Sequence, residues 1–326
     1  MQKFISVDWG TSALRIRIID AAKALPLAEV SNNTGISAVF NLWKQSEKSE
    51  SERLCFYQAV LLTEIKALEE KLDFSISDLP LVISGMASSS IGMINLPYKE
   101  IPFSMDGHDL NVKMIEGTKE RKNEMLIISG AKTDDDVMRG EETQLIGSVI
   151  NVDKEDHLFI FPGTHSKHIL VRDGKTIDFK TYMTGELFEL LSKKSILSND
   201  VETTYDLLNP GNLESFEKGV AESMHTNILN SAFRVRINNV FEKLSKQQNY
   251  CYLSGLLIGT ELKELTVKKI PCTLVADELQ KKFYSAAMQK LNINHVKYLD
   301  AAKALIDGHC KVFGLYKEEL GLNEEI

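Results

Sequence analysis

The sequence predicts an α/β fold in two domains, and three observations predict it. Short apolar runs of strand character alternate with longer stretches of helical period, as in a sheet with helices laid on it. Two β-hairpins of like make-up, each with Gly-Thr at its tip and a hydroxyl close behind, lie far apart in the chain. And 326 residues suffice for two domains with a core each.

The first hairpin is Phe4 to Asp20, FISVDWGTSALRIRIID. An apolar arm runs into Asp8, Gly10-Thr11-Ser12 make the tip, and Leu14, Ile16 and Ile18 then alternate with Arg15 and Arg17. Gly10 permits a positive φ and a close approach to the backbone. The turn offers N–H groups and two hydroxyls, which suit a phosphate. Asp8 would repel a phosphate but suits Mg²⁺, directly or through water. Alone, the segment also reads as an ordinary hairpin whose polar residues satisfy their own turn. The second hairpin, His157 to Phe179, repeats the design: strand Leu158–Phe161, turn Pro162-Gly163-Thr164-His165-Ser166, return strand Lys167–Val171, and a further turn at Asp173-Gly174. Two such loops facing each other across a cleft would hold the β- and γ-phosphates of a nucleotide.

Composition excludes some classes. The net charge of −8 argues against broad nucleic-acid or membrane affinity, so an anionic substrate needs a local basic cluster. Cys55, Cys251, Cys272 and Cys310 are scattered without CxxC spacing and read as reduced thiols of a cytoplasmic protein. No signal-peptide pattern and no apolar run of membrane-spanning length is present. The reading allows a homodimer and calls for no nucleic-acid partner.

Along the chain, Val30–Gly35 reads as loop and Arg53–Leu72 as a helix, with apolar residues near helical spacing. Leu81–Ile83 and Met125–Ile128 read as buried strands ending in Ser84-Gly85-Met86 and Ser129-Gly130. Ligands of α/β sheets collect beyond such strand ends, though a plain turn explains both equally. Thr133 to Asp136 reads as a helix start with capping carboxylates, followed by Arg139, Glu141 and Glu142 and an apolar helix over Leu145–Ile150. The expected domains are 1–133 and 134–326. Thr184-Gly185-Glu186 reads as the cap of a helix that touches substrate. Leu213–Phe241 is largely helical, and Tyr250–Leu262 is a strand breaking at Ser254-Gly255 into a helix. There Gly255 and Gly259 either admit an adenine ring or pack helices. Pro271–Leu291 gives a last strand and helix, and the tail from Lys317 a surface helix. Two decoys fall away. Gly174-Lys175-Thr176 ends like a Walker A motif, but Ile169 stands where its first glycine belongs. His165 and His168, three apart on a strand, face opposite ways and do not share a metal.

The segments VDWGTS, DVMRGEETQLIG (Asp136–Gly147), PGTHSK (Pro162–Lys167), YMTGELFELL (Tyr182–Leu191) and YLSGLLIG (Tyr252–Gly259) together resemble the 2-dehydro-3-deoxygalactonokinases, of the actin/hexokinase/Hsp70 ATPase superfamily. The resemblance covers nearly the whole chain. It implies two ribonuclease-H-like (actin-like ATPase) domains around an interdomain cleft, with ATP and Mg²⁺ as cofactors and phosphorylation of 2-dehydro-3-deoxy-D-galactonate at its 6-hydroxyl. It implies a first phosphate loop of Asp8, Gly10, Thr11 and Ser12, with Asp8 toward the metal. The second would be Gly163, Thr164 and Ser166, with Ser254, Gly255 and Gly259 at adenosine. The general base is expected just before the second loop, with Glu142 preferred, then Glu141, then Asp136. Arg139 and Lys167 are candidates for the substrate carboxylate or the phosphates. Ser84, Gly85, Met86, Ser88, Thr184 and Gly185 are candidates for the sugar acid. Where many relatives carry an Arg-Gln pair and then a Trp, this chain reads Ser88-Ser89-Ser90-Ile91-Gly92-Met93, and Lys194 stands where relatives tend to have His. Two alternatives follow: a kinase for another sugar acid such as 2-dehydro-3-deoxygluconate, or a sugar- or ATP-sensing protein on the same fold.

Overall fold

The computed structural model describes residues 2–118, 122–148, 155–267 and 269–319. The chain forms two compact units, Met1–Asn151 with Gly174–Asp178 and Ala302–Ile326, and Val152–Asp173 with Phe179–Ala301.

In the first unit β1 (Lys3–Trp9), β2 (Leu14–Asp20) and β3 (Leu25–Asn32) form an antiparallel meander. Helices α1 (Ile36–Gln45) and α2 (Arg53–Glu69) follow, then β4 (Leu81–Gly85) beside β1 in parallel. The short β5 (Lys99–Glu100) and β6 (Phe103–Ser104) precede β7 (Val112–Ile115) and β8 (Met125–Ile128), giving the sheet order β3-β2-β1-β4-β8-β7. β1 and β4 are buried on both faces, hence their near-continuous apolar character. Tyr57, Leu61, Ile65 and Leu68 of α2 recur at helical spacing and pack with Ile5, Val7 and Trp9 of β1 in one core.

Beyond β8 the structure departs from expectation. Thr133 to Asp136 is not a helix start but the turn between β9 (Ala131–Lys132) and β10 (Val137–Met138). Thr133 Oγ1 accepts from the N–H groups of Asp135 (3.1 Å) and Asp136 (2.8 Å), so the hydroxyl closes a turn instead of opening a helix. The helix, α3 (Glu141–Gly147), starts after Gly140, whose φ of 114° ends the extended segment. The apolar run expected to Ile150 ends as helix at Gly147, and 149–150 lie outside the described residues. Nor does the first unit stop at 133. It runs to Asn151, so the carboxylates of 134–151 belong with the first hairpin. β9 pairs with both β10 and β5, which ties this segment back.

The second unit repeats the sheet plan. β11 (His157–Phe161), β12 (Ser166–Arg172) and β13 (Lys175–Tyr182) follow one another, the part of β13 up to Asp178 counting with the first unit. Then come α4 (Thr184–Lys194), α5 (Pro210–Ser223), α6 (Ile228–Ser231), α7 (Arg234–Val240) and α8 (Lys246–Leu262). β14 (Cys272–Ala276), α9 (Glu278–Lys290) and β15 (Val296–Asp300) close it. The order β13-β12-β11-β14-β15, with β14 and β15 parallel to β11, matches β3-β2-β1-β4-β8. The expected strand at Tyr250 is instead the middle of α8. This helix is buried on most faces, so its Cys251-Tyr252-Leu253 run shows no amphipathic period. The last helix, α10 (Ala301–Glu319), returns to the first unit, where Phe313 stacks on Phe4 at 4.8 Å. It includes Lys317, and the rest of the expected tail helix lies outside the described residues.

Candidate active site

Both hairpin tips are built alike. In the first, Gly10 N–H donates to Ala13 O (2.9 Å), while the carbonyls of Gly10 and Thr11 accept from Ile36 and Ser37 at the start of α1 (3.0 and 3.1 Å). In the second, Thr164 O accepts from Glu186 N–H at the start of α4 (3.0 Å), and Ser166 Oγ accepts from Gly163 N–H (3.3 Å). With carbonyls turned onto a helix N-terminus, the N–H groups of Thr11, Ser12, Thr164 and His165 make no bond to the described residues. Each tip thus presents N–H groups beside an exposed threonine hydroxyl, an arrangement suited to an anion.

The glycines here do different jobs from those expected. Gly10 has no positive φ, and a Cβ there would meet only Ala13 O at 3.4 Å; at Gly163 the nearest atom would be 3.9 Å away. Protein packing does not demand glycine at these tips. The glycines that packing demands are Gly35, whose Cβ would lie 2.3 Å from Ser12 C, and Gly185, 2.5 Å from Gly163 O. They let α1 and α4 reach the loops. Gly35 was hidden inside what reads as an ordinary loop.

Beside the first tip, Asp8, next to last in β1, pairs with Arg15 (3.0 Å). Gly85 lies across from Trp9 with φ 83°, and its Cβ would stand 2.8 Å from Trp9 O and 3.6 Å from Asp8 Oδ1. Gly140 comes against Gly85 in turn: a Cβ on Gly140 would lie 3.6 Å from Gly85 Cα. This brings the Arg139–Glu142 corner to the ends of β1 and β4. Arg139 Nη1 donates to Ser88 O and Oγ (both 2.6 Å), and its guanidinium lies 4.2 Å over the Tyr98 ring. Nothing in the spacing of the sequence points to Tyr98. Met86 is half-buried in the 3₁₀ turn that joins Gly85 to Ser88.

The three carboxylate candidates separate by environment. Asp136 Oδ1 accepts from Val137 N–H (2.7 Å) in the β9–β10 turn, not at the helix start where it was expected. Glu141 is half-buried, and its Oε2 accepts from Arg139 N–H (3.1 Å). Glu142 is fully buried; Oε2 accepts from Gly140 N–H (2.7 Å) and Oε1 from Thr143 Oγ1 (3.0 Å). Burial first, and the neighbouring Glu141 charge second, push the Glu142 carboxyl up to about 7. Behind β1 and β4, the imidazole of His309 bridges Ser6 Oγ (2.7 Å) and Ser84 Oγ (2.9 Å), and burial holds it down at about 3. Ser84 therefore faces α10.

In the second unit a cavity of about 170 Å³ opens beside the second tip, lined by Pro162, Gly163, Thr184, Gly185 and Ser254 with apolar walls from Phe188, Tyr250, Leu257 and Phe283. Flat apolar walls with a few polar groups suit a nucleobase. Thr184 and Gly185, expected at the sugar acid, line this cavity instead. Of the adenosine candidates only Ser254 lines it. A Cβ at Gly255 would meet Phe216 O at 2.1 Å, and one at Gly259 would meet Ser223 Oγ at 2.4 Å. Both glycines therefore pack α8 on α5. Lys167 is buried, with Nζ donating to His165 O (3.3 Å). His165 and His168 have separate acidic partners, Glu186 and Glu261.

The chain is similar to known proteins in sequence and in fold. The 2-dehydro-3-deoxygalactonokinase of Escherichia coli (strain K12) is 29% identical over 298 residues, 89% of this chain and 90% of that one. A crystal structure of a candidate 2-dehydro-3-deoxygalactonokinase from Sinorhizobium meliloti superposes with a TM-score of 0.82 at 26% identity, covering 99% of each chain. A ligand-bound xylulose kinase from Lactobacillus acidophilus matches at a TM-score of 0.51 and 11% identity, covering 100% of this chain and 91% of that one, which bears on fold alone. The fold is that of the actin-like ATPases, with two ribonuclease-H-like domains. A family model described as 2-keto-3-deoxy-galactonokinase matches residues 8–312. The chain belongs to the 2-keto-3-deoxy-galactonokinase family.

Proposed function

We propose that the protein is an ATP-dependent kinase that phosphorylates 2-dehydro-3-deoxy-D-galactonate at its 6-hydroxyl. The observation that carries this reading is the extent of the family match: residues 8–312 take in both anion-binding tips, the Arg139–Glu142 corner and the nucleobase-sized cavity. Phosphoryl transfer needs chiefly positioning and charge stabilisation. The open N–H groups of Thr11, Ser12, Thr164 and His165 hold phosphate oxygens, and the cavity beside Ser254 holds the base. Asp8 is suited to Mg²⁺: it is one partly exposed carboxylate at the edge of an anion site, and this ion takes one or two carboxylates with phosphate and water oxygens. Among the described residues no cluster of three or more His, Cys, Asp or Glu side chains would hold a metal unaided. Bound there, Mg²⁺ would neutralise charge on the β- and γ-oxygens.

Arg139, ordered by Ser88 and Tyr98, takes the sugar-acid carboxylate. A general base must reach the attacking hydroxyl. Glu142 is sealed with both oxygens engaged, so the half-buried Glu141 is the better base, and the preference drawn from sequence is reversed. Glu142, holding a proton up to about pH 7, accepts from Gly140 N–H without adding a second charge beside Glu141. The reading includes a cytoplasmic reaction, as the scattered thiols of the sequence suggest. Among the described residues no helix is long and apolar enough to cross a membrane. The test is coupled ADP release with Mg-ATP, comparing the galactonate form with its gluconate epimer and plain aldonates. Turnover favouring the galactonate form is expected. Preference for the epimer moves the substrate, with Ser88–Met93 as the place to look. Sugar binding without ADP release removes the kinase reading.

A further inference from the structure

One face of α9 holds the second tip at both of its ends. Gln280 Nε2 donates to Pro162 O (3.2 Å), and one turn on, Tyr284 Oη meets Ser166 Oγ at 3.1 Å. Tyr284 Oη donates to Glu261 Oε2 (2.7 Å). Glu261 is 2% exposed on α8; its Oε1 meets His168 Nε2 on β12 (2.9 Å), and the Thr184 hydroxyl that opens α4 donates to Oε2 beside Tyr284. One buried carboxyl therefore joins the strand leaving the tip, the helix that covers it and the helix that clamps it.

The hydrogens order the network. A carboxylate only accepts, so Tyr284 commits its proton to Glu261. Of the two acceptors within reach of the Ser166 hydroxyl, Tyr284 Oη at 3.1 Å is nearer than Gly163 O at 3.5 Å, and a proton given to Tyr284 leaves the Ser166 lone pairs for Gly163 N–H at 3.3 Å, which closes the tip. Burial raises the Tyr284 phenol well above its ordinary value, so it remains a donor. The Tyr284 ring also lines the nucleobase-sized cavity. The side chain thus connects cavity wall and tip.

We infer that Glu261, acting through Tyr284, is the positioning residue that shapes the second tip for phosphate, and that this pair governs affinity for the nucleotide's phosphates and not for its base. The inference deepens the kinase reading and rests on it. Tyr284→Phe in the full chain keeps the ring and removes the hydroxyl. Calorimetric titration with adenosine, ADP and a non-hydrolysable ATP analogue should show roughly tenfold weaker binding of ADP and the analogue, with adenosine changed by less than about twofold. Ser166→Ala should reproduce the loss, and Tyr284→Phe should add nothing on top of it. Unchanged analogue binding, an equal loss for adenosine, or fully additive losses would each overturn the inference. Glu261→Gln should give the same phosphate-selective loss; if that variant does not fold, Tyr284→Phe still decides. A wild-type chain that binds none of the three ligands overturns the kinase reading as well, whereas normal wild-type binding with an unaffected Tyr284→Phe overturns this inference alone.

Discussion

Glu142 and His309 are two buried titratable groups of the first unit, and they pull stability in opposite directions with pH. Glu142 titrates near 7 when folded, against an ordinary value of 4.5, so unfolding between those values releases a proton and rising pH favours it. His309 is held at about 3 against 6.5, so below 6.5 the unfolded chain takes up a proton the folded chain refuses, and falling pH favours unfolding. Glu142→Gln should raise Tm at about pH 8 and flatten its dependence on pH from 4.5 to 7. No gain in Tm would mean the carboxyl is stabilised as an anion. His309→Gln should flatten the acid limb below 6.5 while lowering Tm at neutral pH, since two serine bonds are disturbed. Catalysis separates the glutamates: Glu141→Gln should cut kcat by about a hundredfold or more with ATP affinity kept, and Glu142→Gln should cut it far less. The reverse order would return the base to Glu142. None of this was legible in Glu141-Glu142 as letters, because which of two adjacent carboxylates is sealed depends on the course of the backbone after Gly140.

At the scale of elements, the two tips offer a clean division between stability and function. Gly35→Ala and Gly185→Ala put a methyl into the loop backbone and should destabilise by about 1–3 kcal/mol, as overpacking does. Gly10→Ala and Gly163→Ala meet no such obstacle, so they should leave Tm nearly unchanged and weaken ATP binding. Equal effects of the two pairs on Tm would refute that division. Both hairpins were readable from sequence because each has buried arms and a Gly-Thr tip. Strands β3 and β15 were not, since both sit at sheet edges, are largely exposed and carry little apolar alternation. α8 was misread for the opposite reason: burial on most faces erased its period. The turn at Thr133–Asp136 was misread because the residues that cap helices also close turns.

Across the whole molecule, ligand footprints should be separable. Hydrogen exchange with an ATP analogue should gain protection in Gly10–Ser12, in Pro162–Ser166 and around the cavity of the second unit, including Thr184 and Gly185. Addition of the sugar acid should protect Gly85–Ser88 and Arg139–Glu142. Protection of Thr184–Gly185 by the sugar acid alone would restore the assignment first drawn from sequence. Composition called for a local cation in a chain of net charge −8; Arg139 is the cation proposed for that task, and the Tyr98 ring beneath it came only with the fold.

The return of α10 to the first unit has a bearing on how the protein is made. Ser6, near the start of β1, bonds to His309, and a Cβ on Gly147 of α3 would lie 1.8 Å from Ala304 O. On the ribosome, the first strand and the helix bearing the glutamates must therefore wait for Ala304 and His309 to emerge. The partners of the second tip, by contrast, are all synthesised by Tyr284. During translation the cavity beside the second tip can be completed before the contacts of Ala304 and His309 in the first unit are made.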